Sequence, residues 1–323
     1  MDYAHLGRAG LVVSRLCLGT LAFGPETAEP DAHAIMDRAH EHGINFFDTS
    51  DVYGWQSGKD WSEEVIGRWL AGGGGRRDRT VLATKVYQSL SDWPNDGKLS
   101  ALHIRKACDA SLARLQTDYI DLYQMHHIDR ETPWDEIWEA METLRAQGKI
   151  LYVGSSNFAG WHIAQAQEAA RSRHFLGLVS EQSKYNLATR DIEREVLPAA
   201  QAYGVGMMIW SPLQRGLLGG ILGKEGDGGL QGHRVSDESL TLFRPQLVRY
   251  EALCAELGVP PAHVALAWLL TRPGVTCPII GPVTGAQLDD LVKCLDVRLE
   301  DDVLGELDEI FPGYRTSPED YAW

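Results

Sequence analysis

Short apolar runs recur eight times along this chain, and an amphipathic helical pattern separates most neighbours. The runs are LCLGT (16–20), NFFDTS (45–50), TVLATKV (80–86), IDLYQMH (120–126), ILYVGSS (150–156), LGLVSEQ (177–183), VGMMIWS (205–211) and TCPIIG (276–281). The spacers include DAHAIMDRAHEHG, SEEVIGRWL, ALHIRKACDASLARL, WDEIWEAMETLRAQG and DIEREVLPAAQAYG. Strands that alternate with helices define βα units and a parallel sheet. Eight such units within 323 residues suit a closed (β/α)8 TIM barrel. An open doubly wound sheet is the competing architecture, but LCLGTLAFG lacks the glycine fingerprint that its first turn carries when it binds a dinucleotide. Ser100 is expected to cap one helix, and Gly43, Gly148 and Gly204 to close others.

Two pieces stand outside the eightfold pattern. Residues 2–13 read as a β-hairpin with its turn near Ala9-Gly10. Residues 212–240 are Gly-rich and read as one long connection. Barrel loops at the C-terminal face build active sites, so this connection is expected to act as a lid or cofactor clasp. The glycines at 72–75 follow a helix and precede a strand. That is the reverse of a phosphate cradle. No composition shift divides the chain, and residues 1–323 are expected to form a single domain.

Charge and cysteine usage narrow the function. Lys and Arg total 30 against 45 Asp and Glu, a formal net charge of −15. Nucleic acid and anionic membrane surfaces call for the opposite balance, so neither is an expected partner. The five cysteines (Cys17, Cys108, Cys254, Cys277 and Cys294) are scattered and form no C-x-x-C pair. They read as reduced thiols. No apolar run nears the roughly 20 residues that span a bilayer, and the first ten residues do not read as a signal peptide. A cytoplasmic protein is expected.

Polar residues at strand ends carry the chemistry. Asp48, Lys85 and His126 stand at or near the ends of the second, third and fourth runs. Alternation places Phe46 with Asp48, Ala83 with Lys85, and Gln124 with His126 on one face of each strand. If that face points inward, an acid, a base and an imidazole meet at the rim, with Tyr53 in the following loop. Each has a blander reading: a helix-capping Asp, a snorkelling Lys, a core His, a surface Tyr. Three consecutive strands ending in ionisable groups of matching parity favour a joint site. His127 is expected to face away from His126 or to begin the next loop.

The motifs DTSDVYG (48–54), LATKV (82–86), DLYQMHHID (121–129), VGSSNF (153–158), EQSKYN (181–186) and WSPLQRGLLGG (210–220) together resemble the aldo-keto reductase family over nearly the whole length. WSPL and QSKYN also resemble its potassium-channel β-subunit branch. The resemblance implies a barrel plugged at its base by the N-terminal hairpin. It implies Asp48, Tyr53, Lys85 and His126 as catalytic residues, no metal, and a nicotinamide cofactor. NADPH is the favoured form and NADH the alternative. Gly19, Thr20, Leu21, Asp48, Ser156, Asn157, Gln182, Trp210, Ser211, Pro212, Leu213, Gln214, Arg215, Gly281, Val283, Gln287 and Asp290 match its cofactor contacts. Lys224 and Arg234 are looser phosphate candidates.

The sequence departs from the family at 281–284. NADP-preferring relatives usually carry a Lys or Arg there, whereas this chain has Gly281, Pro282, Val283 and Thr284; Leu291 stands where an Asn is common. In the implied chemistry Tyr53 protonates the carbonyl oxygen, and the Lys85 ammonium is expected to lower the phenol pKa. Trp55, Tyr87, Trp93, Tyr321 and Trp323 are candidates to line a substrate pocket. The implied substrate is a small carbonyl compound, among them a sugar, a deoxysugar or a natural-product ketone. A cofactor-sensing regulatory subunit is the alternative; such relatives typically lack the imidazole of His126. A metal-dependent hydrolase is a third class, with too few inward ligands. A homo-oligomer stays open.

Overall fold

The computed structural model describes residues 1–54, 61–224 and 235–322. Among the described residues there are ten strands: β1 (Tyr3–His5), β2 (Val12–Ser14), β3 (Cys17–Gly19), β4 (Phe46–Asp48), β5 (Val81–Val86), β6 (Ile120–Met125), β7 (Ile150–Ser156), β8 (Leu178–Lys184), β9 (Gly206–Trp210) and β10 (Val275–Ile280). The helices are α1 (Glu29–Glu41), α2 (Ser62–Ala71), α3 (Ala101–Leu115), α4 (Trp134–Ala146), α5 (Gly160–Ser172), α6 (Val196–Tyr203), α7 (Asp237–Leu257), α8 (Pro261–Thr271), α9 (Gly285–Leu291) and α10 (Asp301–Ile310). Strands β3 to β10 pair in parallel and close on one another, β10 against β3. This is the (β/α)8 TIM barrel expected from the eight runs, and each run overlaps one barrel strand.

Period-2 patterning divides each strand between two cores. Outward residues such as Phe47, Leu82, Val86 and Tyr123 pack against the helix ring. Inward Cys17, Phe46, Ala83, Leu122, Met208 and Cys277 form a second cluster inside the barrel. Hairpin residues Leu6, Ala9 and Val13 complete that inner cluster, so β1 and β2 plug the base. Gly7 makes the closure possible. It sits at φ +58°, and a Cβ there would lie 2.5 Å from the Gly204 carbonyl oxygen. Arg15 ties the plug down by donating to the carbonyls of Val275 and Leu270.

Helix ends follow their caps. Ser100 accepts from the His103 amide and starts α3. Gly43, Gly148 and Gly204 all have positive φ at helix ends. Two boundaries differ from expectation. The pattern over 191–204 reads as one helix, but it divides into a 3-10 turn at Asp191–Glu193 and α6. The long connection is also shorter than it reads. Ser236 accepts from the Ser239 amide and opens α7 at Asp237, with acidic Asp237 and Glu238 in its first turn, where the helix dipole favours them. All five cysteines are buried free thiols. Among the described residues, no single helix is long and apolar enough to cross a membrane.

Candidate active site

Inward parity carries three polar side chains to the C-terminal rim. Asp48 ends β4 directly above inward Phe46, and Lys85 stands above inward Ala83. Their side chains are wholly or almost wholly buried and meet at 2.6 Å, Lys85 Nζ to Asp48 Oδ2. The ammonium also donates to the Thr49 carbonyl at 2.9 Å and to the Tyr53 hydroxyl at 3.0 Å. All three of its protons are therefore used. Burial disfavours the charge on Lys85, but Asp48 and Tyr53 outweigh it and hold the ammonium well above its usual pKa.

Asp48 is gripped from its other side by amides. Gln124 Nε2 donates to Oδ1 at 3.0 Å and Gln182 Nε2 at 2.8 Å. Room for this layer depends on Gly154 of β7. A Cβ there would come within 2.4 Å of Ser180 Oγ and 3.1 Å of Gln124 Cγ.

The Tyr53 phenol differs from expectation. Burial pushes its pKa above the ordinary value, and Lys85 opposes this without reversing it. Desolvation of a would-be phenolate outweighs one ammonium that Asp48 already partly neutralises. Tyr53 therefore stays protonated through the neutral range, as a proton donor requires.

His126 follows the last residue of β6 and its amide donates to the Val86 carbonyl at 2.9 Å. Its ring stands edge-on to Tyr53, 6.2 Å between centroids. Burial, then Lys85, then His127 push its pKa down to about 2, so the imidazole is neutral. Nδ1 lies 3.3 Å from Ser50 Oγ. His127 does begin the loop, but it does not face away. The two imidazoles stack 5.0 Å apart with planes within 4°. Opposite-face geometry holds only while the strand lasts, and β6 ends at Met125. His127 in turn meets Tyr87 edge-on at 5.3 Å.

A second group of residues gathers at the ends of β7, β8 and β9. Asn157 adopts φ +59° and Ser211 φ +53°; Gln214 and Arg215 are left-handed too. Such conformations cost about 1–3 kcal/mol each and cluster where function over-determines the backbone. Asn157 Oδ1 accepts from Trp210 Nε1 at 3.1 Å, fixing a half-buried indole at the rim. Asn157 Nδ2 donates to the His126 carbonyl and to Ser156 Oγ. Asn186 steadies the turn by donating to the Ser211 carbonyl at 2.9 Å. Ser211 Oγ is buried without a partner, and Gln182 Oε1 accepts nothing among the described residues. An aromatic face with idle amide and hydroxyl groups suits a flat carboxamide-bearing ring.

The remaining candidates are spread along the rim. Thr20 is buried and donates to the Asp48 carbonyl at 3.0 Å, with Gly19 below it and Leu21 exposed. Pro212 is buried, and Leu213 packs against the outer core. Gly281 is exposed; Val283 donates its amide to Gln287 Oε1 at 2.8 Å. Asp290 is engaged by Lys293 at 3.3 Å and His263 at 3.2 Å. Leu291 packs on the outer core. Tyr87 reaches the site through His127, but Trp93 is 78% exposed and Tyr321 77%. Trp55, Arg234, Trp323 and the side chain of Lys224 lie outside the described residues. Sequence reasoning passed over Ser50 and Asp51, although both sit inside the quoted DTSDVYG.

The geometry defines a barrel whose rim can donate a proton beside a neutral imidazole and an aromatic face. A sequence model described as the aldo/keto reductase family matches residues 15–311. The chain belongs to that family and is an oxidoreductase of the carbonyl-reducing kind, a family that uses nicotinamide cofactors. It is 53% identical to the uncharacterized oxidoreductase YrpG of Bacillus subtilis, with all of both chains covered. It is 34% identical to versiconal hemiacetal acetate reductase of Aspergillus parasiticus, covering 98% of this chain and all of the relative. It is 32% identical to a probable voltage-gated potassium channel subunit beta of Arabidopsis thaliana, covering 99% of this chain and all of the relative.

The two imidazoles are separable by mutation. His126→Ala is expected to lower turnover at least tenfold more than His127→Ala, about the effect of losing one positioned group in a site. Steady-state rates on a common carbonyl check this. Equal losses would mean that the loop places both rings on the substrate.

Proposed function

We propose that this protein reduces an aldehyde or ketone to an alcohol, with Tyr53 as the general acid and NADPH as cofactor. The observation that carries the reading is the Tyr53 hydroxyl 3.0 Å from Lys85 Nζ, above a buried Lys85–Asp48 pair. When bound, the nicotinamide supplies the hydride. Tyr53 gives its proton to the carbonyl oxygen as negative charge grows there. Lys85 stabilises the phenolate left behind, and Asp48 keeps Lys85 charged and aimed. His126, being neutral, hydrogen-bonds the carbonyl oxygen without competing for the proton.

Ser156, Asn157 and Gln182 would hold the carboxamide and Trp210 would cover the ring. Gly19, Thr20, Leu21 and the turn Ser211–Arg215 would meet the rest of the cofactor, with Gly281, Val283, Gln287 and Asp290 toward its adenosine end. Val283 brings no cation to a 2′-phosphate, so NADH is the competing form. Tyr87, beside His127, is the best-placed substrate-pocket residue. The proposed substrate is a sugar, a deoxysugar or a natural-product ketone. The channel-subunit relatives make a cofactor sensor the second reading; the imidazole at 126 favours the enzyme.

Loss of the reduced cofactor's absorbance is followed over a panel of such carbonyls with NADPH and with NADH. Carbonyl-dependent oxidation that Tyr53→Phe abolishes supports the reading. Tight cofactor binding without oxidation by any carbonyl supports the sensor, and a preference for NADH overturns the choice of NADPH.

A further inference from the structure

Ser50 links two groups that the chemistry above leaves unconnected. Its Oγ donates to Asp51 Oδ1 at 3.1 Å and lies 3.3 Å from His126 Nδ1. The Val52 amide donates to the same oxygen at 3.5 Å. A hydroxyl has one proton to donate, so Ser50 can give it to Asp51 or to His126, not to both. Asp51 is 1% exposed, and its other oxygen, Oδ2, is buried without a partner among the described residues. Charged groups face it from several elements. Glu63 of α2 disfavours its ionisation, while Arg114 of α3 and Lys85 of β5 favour it. The phenols of Tyr53 and of Tyr123 on β6 also lie within its field.

We propose that Asp51 and Ser50 are positioning residues that decide which nitrogen of His126 carries the imidazole proton. The consequence for turnover rests on His126 touching the carbonyl, as proposed above. With Asp51 ionised, its oxygens can only accept, and Ser50 must donate to it. Ser50 then accepts from His126 Nδ1–H, and Nε2 is left bare. With Asp51 protonated on Oδ1, the chain reverses: Asp51 donates to Ser50, Ser50 donates to Nδ1, and the imidazole proton sits on Nε2.

The interconversion balances. One solvent proton binds at Nε2, the Nδ1 proton passes to Ser50 Oγ, and the Ser50 proton passes to Asp51 Oδ1. Only the Nε2–H form can donate to a carbonyl oxygen. The bare form instead accepts from an alcohol hydroxyl. The site is therefore set for ketone binding while Asp51 is neutral and for alcohol binding once it ionises.

Burial first, and Glu63 second, push the Asp51 carboxyl up to about 8. His126 itself, held near 2, does not ionise in that range. The donor form thus holds below about pH 8 and is lost as pH rises through it.

The test is 15N NMR of the full chain labelled at histidine, without cofactor or carbonyl, with the His126 signals assigned by their loss in His126→Gln. The expected result is protonated Nε2 well below pH 8 and protonated Nδ1 well above it, near the Asp51 value of about 8. Ser50→Ala should abolish the change, Ser50→Thr should keep it by retaining the hydroxyl, and Asp51→Asn should leave one tautomer at every pH. A wild-type tautomer that does not change with pH overturns the proposal, and so does a change that survives in Ser50→Ala. Because no carbonyl is present, the outcome is independent of whether the protein proves to be a reductase.

Discussion

Tyr53→Phe is expected to lower carbonyl turnover by about 10²–10⁴-fold, the range a positioned general acid supplies. The ring stays and only the hydroxyl goes, so packing and cofactor affinity should barely change. Lys85 Nζ loses one of three acceptors, but Asp48 and the Thr49 carbonyl remain. The fold should therefore survive, and the loss should fall on kcat. A kcat within threefold of wild type would move the acid to another group. Intrinsic tryptophan fluorescence on cofactor addition checks that binding is intact, since Trp210 stands at the rim.

Lys85→Met should cost both activity and stability. It leaves the Asp48 carboxylate buried with amide donors but no counter-charge. Removing one partner of a buried ion pair typically costs about 3–5 kcal/mol, read as a lower denaturation midpoint. Turnover should fall at least as far as in Tyr53→Phe, because the buried phenol loses the Lys85 ammonium, which opposes its raised pKa. Combining Lys85→Met with Asp48→Asn separates the two effects. The double variant should recover much of the stability, since no unpaired charge stays buried, and none of the turnover. Recovery of turnover would show the pair to be scaffolding only.

The legible part of this molecule is what periodicity encodes. Eight apolar runs mark eight barrel strands to within a residue or two, and parity places Phe46, Ala83 and Leu122 inside with Asp48, Lys85 and Gln124 above them. Features that depend on how the chain turns after a strand are less legible. Parity sets His126 and His127 on opposite faces, yet they stack once β6 has ended. Ser50 and Asp51 follow β4, and nothing in DTSDVYG says that the turn will bring Ser50 against the imidazole that follows β6. The phenol of Tyr53 shows a different limit. Its lysine neighbour is visible in the motif, but the burial that overrides that lysine is a property of the assembled rim. The start of α7 was encoded all along in SDES, whose first serine is a good N-cap, but the glycines before it obscure the signal.

In the proposed reaction the cofactor gives hydride and Tyr53 gives a proton to the same carbonyl. Its most direct test is isotopic. The protein is incubated with a ketone and cofactor deuterated at the transferable C4 position, and the alcohol is examined by mass spectrometry and NMR. Wild-type protein should place one deuterium on the carbinol carbon, with a single configuration when the ketone carbonyl is prochiral, and Tyr53→Phe should place essentially none. Cofactor that binds tightly yet keeps its deuterium against every carbonyl tried, or product labelled equally by both proteins, would contradict it.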